Sequence, residues 1–164
     1  MIIDCHGHYT TTPPQVETYR NEQRALLAND PNHLFEKGNI NISDDEIRDT
    51  IANNQLKMQQ DRGTDVTIFS PRASWMGHDL GNASTSQAWT ELCNDLIRRV
   101  CDLFPATFVP VCQFPQTPEA SLVNILSQLS RCFDQMRFIV CHLNPAPSCG
   151  SWHAPPLCVR FCFP

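Results

Sequence analysis

Two histidines near the start of the chain, His6 and His8, have the clearest chemical potential. They follow a short apolar run over residues 1–5 and are separated by Gly7. Side chains two residues apart on a strand point the same way, so both imidazoles can reach one ion. Histidine is the commonest ligand of zinc and similar divalent metals, and a glycine leaves space between the rings. We interpret the pair as a metal site, with a chance His-x-His pattern as the alternative.

Three polar residues follow later apolar runs. Arg72 is a candidate clamp for a substrate carboxylate, because guanidinium binds carboxylates in a two-pronged, charge-assisted geometry; the alternative is a surface ion pair. Asn144 is a candidate hydrogen-bond partner of substrate, or else a turn former before the next proline. His142, a lone histidine at a strand end, is interpreted as a satisfied polar residue, with a place in the metal site as the alternative.

Apolar runs alternate with amphipathic segments up to residue 141. The alternation predicts strands at residues 1–5, 66–69, 108–112 and 138–141, and helices at 14–29, 43–63, 89–104 and 117–133. Apolar strands that alternate with helices indicate βαβ units and a parallel sheet covered on both faces. The fold class is therefore α/β, with the four candidate strands at its centre.

Helix boundaries are predicted from local signals. Ser43 and Glu46 form a capping box at the start of the second helix, and Gly63 can supply its left-handed stop. The apolar face of that helix is Ile47, Ile51 and Met58. Thr117 is predicted to cap the last helix, with Pro118 in its first turn. Its apolar stripe is Leu122, Ile125, Leu126, Leu129 and Phe133.

Composition excludes several classes of protein. The 164 residues include 12 Lys and Arg against 17 Asp and Glu, a net charge of −5. Scattered basic residues do not form the clustered positive face that nucleic acid requires. Without an apolar run of roughly 18–20 residues or a signal peptide, a cytoplasmic location is predicted and no membrane contact. Nine cysteines, an odd number, are predicted to be mostly free thiols that behave as small hydrophobes.

Several stretches, in order along the chain, resemble the 4-oxalomesaconate hydratases of the amidohydrolase superfamily. That branch is related to the aminocarboxymuconate-semialdehyde decarboxylases. The stretches are MIIDCHGHYT (1–10), ISDDE (42–46), FSPRAS (69–74), LFP (103–105), LNP (143–145), Trp152 and PPL (155–157). The resemblance implies a (β/α)8 barrel with one zinc ion at the carboxyl ends of its strands. Members hydrate, or in related branches decarboxylate, small unsaturated polycarboxylic acids from aromatic-ring cleavage.

Position by position, the resemblance makes His6 and His8 two zinc ligands, and Arg72 and Asn144 substrate contacts. In this family the remaining histidine and a catalytic glutamate come from the second half of the barrel. No catalytic residue is therefore expected within this chain. A complete barrel needs about 250 residues, so this chain is expected to form roughly the first four βα units of a partial (β/α)8 TIM barrel, with an irregular C-terminal tail.

Residues 1–157 are expected to be this N-terminal half, and residues 158–164 form a tail that does not match. Ala146 and Cys149 also depart from the usual Asp and Gly of the family. A true truncation, a retained intron and a shifted reading frame all remain open explanations for the tail.

The resulting expectation is a zinc-dependent hydratase that adds water to an unsaturated keto-polycarboxylate such as 4-oxalomesaconate, inactive as this chain alone. The alternatives are a decarboxylase and a non-catalytic truncated pseudo-enzyme. The expected partner is a small polycarboxylate, and homo-oligomers remain open for the full-length family.

Overall fold

A computed structural model of the chain describes residues 1–72, 80–117 and 121–142. Four strands in this part pair in parallel, in the sequential order β1-β2-β3-β4. Their bounds are Ile3–His8 for β1, Val66–Ser70 for β2, Phe108–Gln113 for β3 and Val140–His142 for β4. The α/β expectation is confirmed, and the four strands with the helices that connect them have the architecture of a half-barrel. Asn144 and the predicted boundary after residue 157 lie outside the described residues.

Five α-helices and two π-helical segments connect these strands in the described ranges. The helices are α1 (Pro14–Asn29), α2 (Asp44–Ile51), α3 (Lys57–Arg62), α4 (Ala83–Leu103) and α5 (Leu122–Ser130). The π-helical segments are Ala52–Leu56, between α2 and α3, and Arg131–Gln135, after α5. Helix α1 has the predicted bounds. No helix of this described part is long and apolar enough to cross a membrane.

The helical stretch from α2 to α3 confirms both predicted ends and the burial of Ile47 and Ile51, but not that of Met58. The Ser43 hydroxyl accepts from the amide of Glu46, whose carboxylate accepts from the amide of Ser43, and Gly63 ends α3 with φ +66°. Met58 was predicted to be on the apolar face and is 51% exposed. The π-helical segment between the helices holds one extra residue per turn, which rotates the following positions by about 100°. Gln59 is buried in place of Met58.

Helix α5 starts later than predicted. Its N-cap is Ser121, whose hydroxyl accepts from the amide of Asn124, so the prediction of Thr117 as the cap is wrong. Serine is among the preferred cap residues because its side-chain oxygen satisfies a free amide of the first turn. Of the predicted stripe, Ile125 is buried, whereas Leu122 and Leu126 are 37% and 49% exposed.

The first, third and fourth strands also differ in detail from the prediction. Strand β1 continues through His8, so both histidines lie within the strand and not after it. Strand β3 accommodates Pro110, since its pairing with β2 ends at that residue and its pairing with β4 begins at the next one. Pro110 has no N–H to donate, but it lies at the end of the β2–β3 ladder and before the start of the β3–β4 ladder. It therefore breaks neither ladder in its middle. Strand β4 begins two residues later than predicted, at Val140.

The hydrophobic core lies on one face of the sheet, which we call the helix-covered face. It joins Phe69 of β2 and Phe108 of β3 to Trp89 and Ile97 of α4, all 3% exposed or less. Along β2, Thr67 and Phe69 are buried, but Val66 and Ile68, on the opposite face, are only half-buried. The expectation of a sheet covered on both faces is therefore wrong for the described residues. Sequential strand order with right-handed crossovers places every connecting helix on the same side.

The cysteines of the described residues are all free, as predicted. Cys93, Cys101, Cys112 and Cys132 are buried. Burial raises the pKa of the Cys93 and Cys101 thiols to about 12, so these two remain protonated at neutral pH. They pack in the core as small hydrophobic groups, whereas Cys5 and Cys141 are exposed.

Candidate metal centre

A β-bulge in β1 turns the histidines toward the face opposite the helices, which we call the inner face. Asp4 pairs with Thr67 and Gly7 pairs with Phe69, so β1 uses one residue more than β2 over this interval. Such a bulge shifts the alternation of side chains by one position. It places Gly7 on the helix-covered face and pairs His8 with Ser70 of β2. In a regular ladder, His6 would pair with Phe69 and face the core.

Three imidazole rings meet at the carboxyl ends of the strands. Nε2 of His6 lies 2.9 Å from Nε2 of His8. His142, the last residue of β4, has its ring centroid 5.8 Å from that of His6 and 5.9 Å from that of His8. His6 is exposed, and His8 and His142 are half-buried. The fold thus brings together residues that are separated by more than 130 positions in the sequence.

The two Nε2 atoms fit a shared metal ion. Zinc–imidazole bonds of about 2.0–2.1 Å at tetrahedral angles separate two ligand nitrogens by about 3.3–3.4 Å. The rings of His6 and His8, whose Nε2 atoms are 2.9 Å apart, would therefore share one ion after a small movement apart. Structural zinc sites take four protein ligands and catalytic sites three. In the part of the chain that the structure describes, no group of three or more His, Cys, Asp or Glu side chains is arranged to hold a metal. Among the described residues, the pair is therefore a partial donor set.

His142 shares the environment of the pair. Burial lowers the pKa of His142, and charge on His8 and His6 lowers it further. Both effects favour the neutral form of the ring. The sequence predicts no metal-ligand role for His142, because the family that the chain resembles takes no ligand from this position. Its position, at the end of a strand parallel to β1, was the one available indication that it would join the others.

The inner face also forms a cleft of about 300 Å³ beside the rings. Its lining includes His6, His142, Ser70, Ile68 and Val111. Ser70 is 4% exposed and contacts His8 directly, with its Oγ 2.7 Å from Nδ1 of the ring. The sequence predicts no role of its own for Ser70. Its contact with His8 depends on the strand register, which the sequence pattern does not reveal.

Gly7 is required for close packing between β1 and β2. A Cβ atom at this position would meet Cγ2 of Thr67, with the ring of Phe69 also in contact. Gly7 is therefore needed because the helix-covered face has no room for a side chain at this position. The structure gives a different reason for this glycine than the spacing of the two imidazoles.

Arg72 lies two residues beyond the end of β2, in a different cavity from the histidines. It is half-buried and lines a small space together with Tyr9, Trp89 and Cys93. Tyr9 is 1% exposed, and its hydroxyl lies 2.6 Å from that of Thr50. Burial raises the pKa of Tyr9 to about 12. The carboxylate contact predicted for Arg72 stays a prediction, as does the role of Asn144.

A four-stranded parallel sheet with histidines at its carboxyl edge agrees with the half-barrel that the sequence predicts. The amidohydrolase family model matches residues 3–161. This chain therefore belongs to the amidohydrolase family.

Two proteins similar to this chain are hydratases, in agreement with the branch that the sequence resembles. The chain is 48% identical over 165 aligned positions to the 2-keto-4-carboxy-3-hexenedioate hydratase of Sphingobium sp. (strain NBRC 103272 / SYK-6), covering 100% of this chain and 47% of that protein. The crystal structure of 4-oxalomesaconate hydratase (LigJ) from Rhodopseudomonas palustris superposes with a TM-score of 0.80 at 41% identity, covering 96% of this chain and 45% of that one. The chain thus spans about half the length of both relatives.

A more distant structure shares the fold. The 5-carboxyvanillate decarboxylase (LigW) from Sphingomonas paucimobilis has a TM-score of 0.59 at 18% identity, over 89% of this chain and 43% of that one. At that identity the likeness shows the architecture alone.

Proposed function

We propose that this chain provides the metal-binding half of a cytoplasmic hydratase that adds water to an unsaturated keto-polycarboxylate such as 4-oxalomesaconate. The observation that supports it is the convergence of His6 and His8, with Nε2 atoms 2.9 Å apart, in a chain 48% identical to a hydratase. The proposed ion is zinc, although imidazole pairs also accept manganese or iron.

Each candidate residue has a role in this proposal. A divalent ion held by His6 and His8 would activate water or polarise an enolate oxygen. Arg72 would orient a substrate carboxylate through paired hydrogen bonds, and Asn144 would add a further polar contact. Proton transfer is assigned to a glutamate supplied by the remaining part of the barrel. Because the described residues supply a partial donor set, we propose that the chain alone binds zinc weakly and does not turn over substrate.

Two alternatives give different products or none. A decarboxylase would use the same ion and carboxylate clamp but would release CO2, and its support here comes only from structures that share the fold. A non-catalytic pseudo-enzyme would bind the ion without any reaction. Product analysis separates all three.

Zinc binding to the chain itself is the first test. Equilibrium dialysis should show uptake by the wild type that His6→Ala and His8→Ala each abolish, since a single imidazole is a poor zinc site. His33→Ala is a matched control, because His33 lies in the loop after α1, where its ring contacts Asp30 and Phe35. Zinc uptake that is equal in the wild type and the His6 and His8 variants would contradict the metal assignment.

Activity requires a complete barrel, so the second test is a chimera. Residues 1–157 would replace the matching part of the Sphingobium hydratase, and hydration would be followed as loss of the conjugated double-bond absorbance of 4-oxalomesaconate. Arg72→Ala in the chimera should lower kcat/KM about 10- to 100-fold, because a charge-assisted contact is worth about 1.5–3 kcal/mol. CO2 release by the folded chimera would favour the decarboxylase. A folded, zinc-loaded chimera without any product would overturn the hydratase proposal.

A further inference from the structure

We propose that Ser70 is a positioning residue that, together with the backbone carbonyl of Pro71, fixes the tautomer of His8. The hydrogen is held on Nδ1, so that Nε2 keeps its lone pair for a metal ion. This inference rests on the proposed function, and it assigns a task to a side chain outside the pair of ligands.

The hydrogen-bond partners of Nδ1 decide where the hydrogen is. Nδ1 of His8 lies 2.8 Å from the carbonyl oxygen of Pro71 and 2.7 Å from Oγ of Ser70. A carbonyl oxygen only accepts hydrogen bonds. Nδ1 must therefore carry the hydrogen, and a neutral ring then has none on Nε2.

The hydroxyl of Ser70 agrees with this assignment. Serine has one O–H to donate and two lone pairs that accept. Its Oγ lies 3.0 Å from the carbonyl oxygen of Gly7, to which it donates. The oxygen is then free to accept from Nδ1–H of His8. Because Ser70 is 4% exposed, little water competes for either bond.

The two histidines consequently differ. His8 is held by β2 through two acceptors, and its bare Nε2 points at Nε2 of His6. His6 is exposed, and within the described part of the chain its Nδ1 has no hydrogen-bond partner. In the metal-free chain, His6 can therefore donate from Nε2 to His8, and it can change tautomer freely when an ion takes that place. His8 is the fixed ligand and His6 the adaptable one.

Partners behind a metal-bound histidine set the orientation and basicity of the ring, and their removal typically costs 10- to 100-fold in metal affinity. Ser70 supplies one of the two acceptors of Nδ1–H. The other is the backbone carbonyl of Pro71, which a substitution of Ser70 leaves in place. We therefore expect Ser70→Ala to weaken zinc binding about 10-fold, the lower end of that range, and to raise the fraction of His8 protonated on Nε2.

The deciding measurement is the His8 tautomer in the zinc-free chain. Long-range ¹H–¹⁵N NMR correlations at a pH well above the usual imidazole pKa of about 6.5 distinguish the two ring nitrogens. The wild type should show His8 protonated on Nδ1. Ser70→Ala should show a mixture, and Ser70→Thr, which keeps the hydroxyl, should restore the wild-type signal. Ile68→Val is the matched control, because it changes the same cleft without touching a His8 hydrogen bond.

The outcomes separate this inference from the proposed function. His8 protonated on Nε2 in the wild type, or an unchanged tautomer in Ser70→Ala, overturns the role of Ser70 whether or not zinc binds. Failure of the wild type to bind zinc contradicts the proposed metal site, while the tautomer still tests the hydrogen bonds. Equal zinc affinity in the wild type and in Ser70→Ala also counts against the inference. A loss caused merely by misfolding would appear in the Ile68→Val control or persist in Ser70→Thr.

Discussion

The two faces of the sheet differ in both packing and chemistry. The helix-covered face packs Phe69, Phe108 and Trp89 into a core with almost no exposed surface. The inner face carries three histidine rings beside a cleft of about 300 Å³. Of its apolar residues, Val111 is buried, whereas Ile3 is exposed and Ile68 and Val140 are half-buried. The same strands therefore supply the core of the fold with one set of side chains and its candidate chemistry with the other. In the described residues, stability and function are separated by the alternation of the strand.

The largest expected difference is between two isoleucines on opposite faces. Ile97→Ala should cost about 2–5 kcal/mol of unfolding free energy, because it leaves a cavity at a position that is 1% exposed. Ile3→Ala removes the same atoms from a side chain of β1 that is 54% exposed. It should cost less than about 1 kcal/mol. Urea denaturation of both variants measures the contrast, and comparable losses would show that the inner face contributes as much to stability as the core.

Gly7 tests the contact that holds β1 against β2. Gly7→Ala should destabilise the chain by about 1–3 kcal/mol through overpacking, because the new methyl meets Cγ2 of Thr67. Thr67→Ser removes that carbon, so the double variant should recover most of the loss. A double-mutant cycle on thermal or urea unfolding gives the coupling. Additive effects of the two changes would mean that the glycine is needed for another reason.

Met58 gives the smallest expected effect. Met58→Ala should change the unfolding free energy by less than about 0.5 kcal/mol, as at other surface positions, because the π-helical segment turns Met58 into solvent. Ile51→Ala, on the buried side just before that segment, should cost about 2–5 kcal/mol. Similar losses at both positions would indicate that the helix continues in regular α geometry.

Much of the architecture is predictable from local sequence. The capping box of Ser43 and Glu46 and the glycine stop at Gly63 depend on contacts within a few residues, and both are confirmed. The burial of Met58 and the cap at Thr117 were predicted wrongly. The first assumed a uniform helical period and the second ignored a competing cap at Ser121. Neither a π-helical insertion nor the choice between two caps is specified by periodicity alone.

The sequence by itself indicated that His6 and His8 lie on a common face, because side chains two residues apart on a regular strand do. It also determined the order of the βα units, through the alternation of apolar and amphipathic segments. Only the tertiary structure decided which face the histidines occupy. The bulge between Asp4 and Gly7 pairs His8 with Ser70, and the parallel ladder from β1 to β4 brings His142 beside them. Register and strand order are relations between distant segments, and no local pattern encodes them.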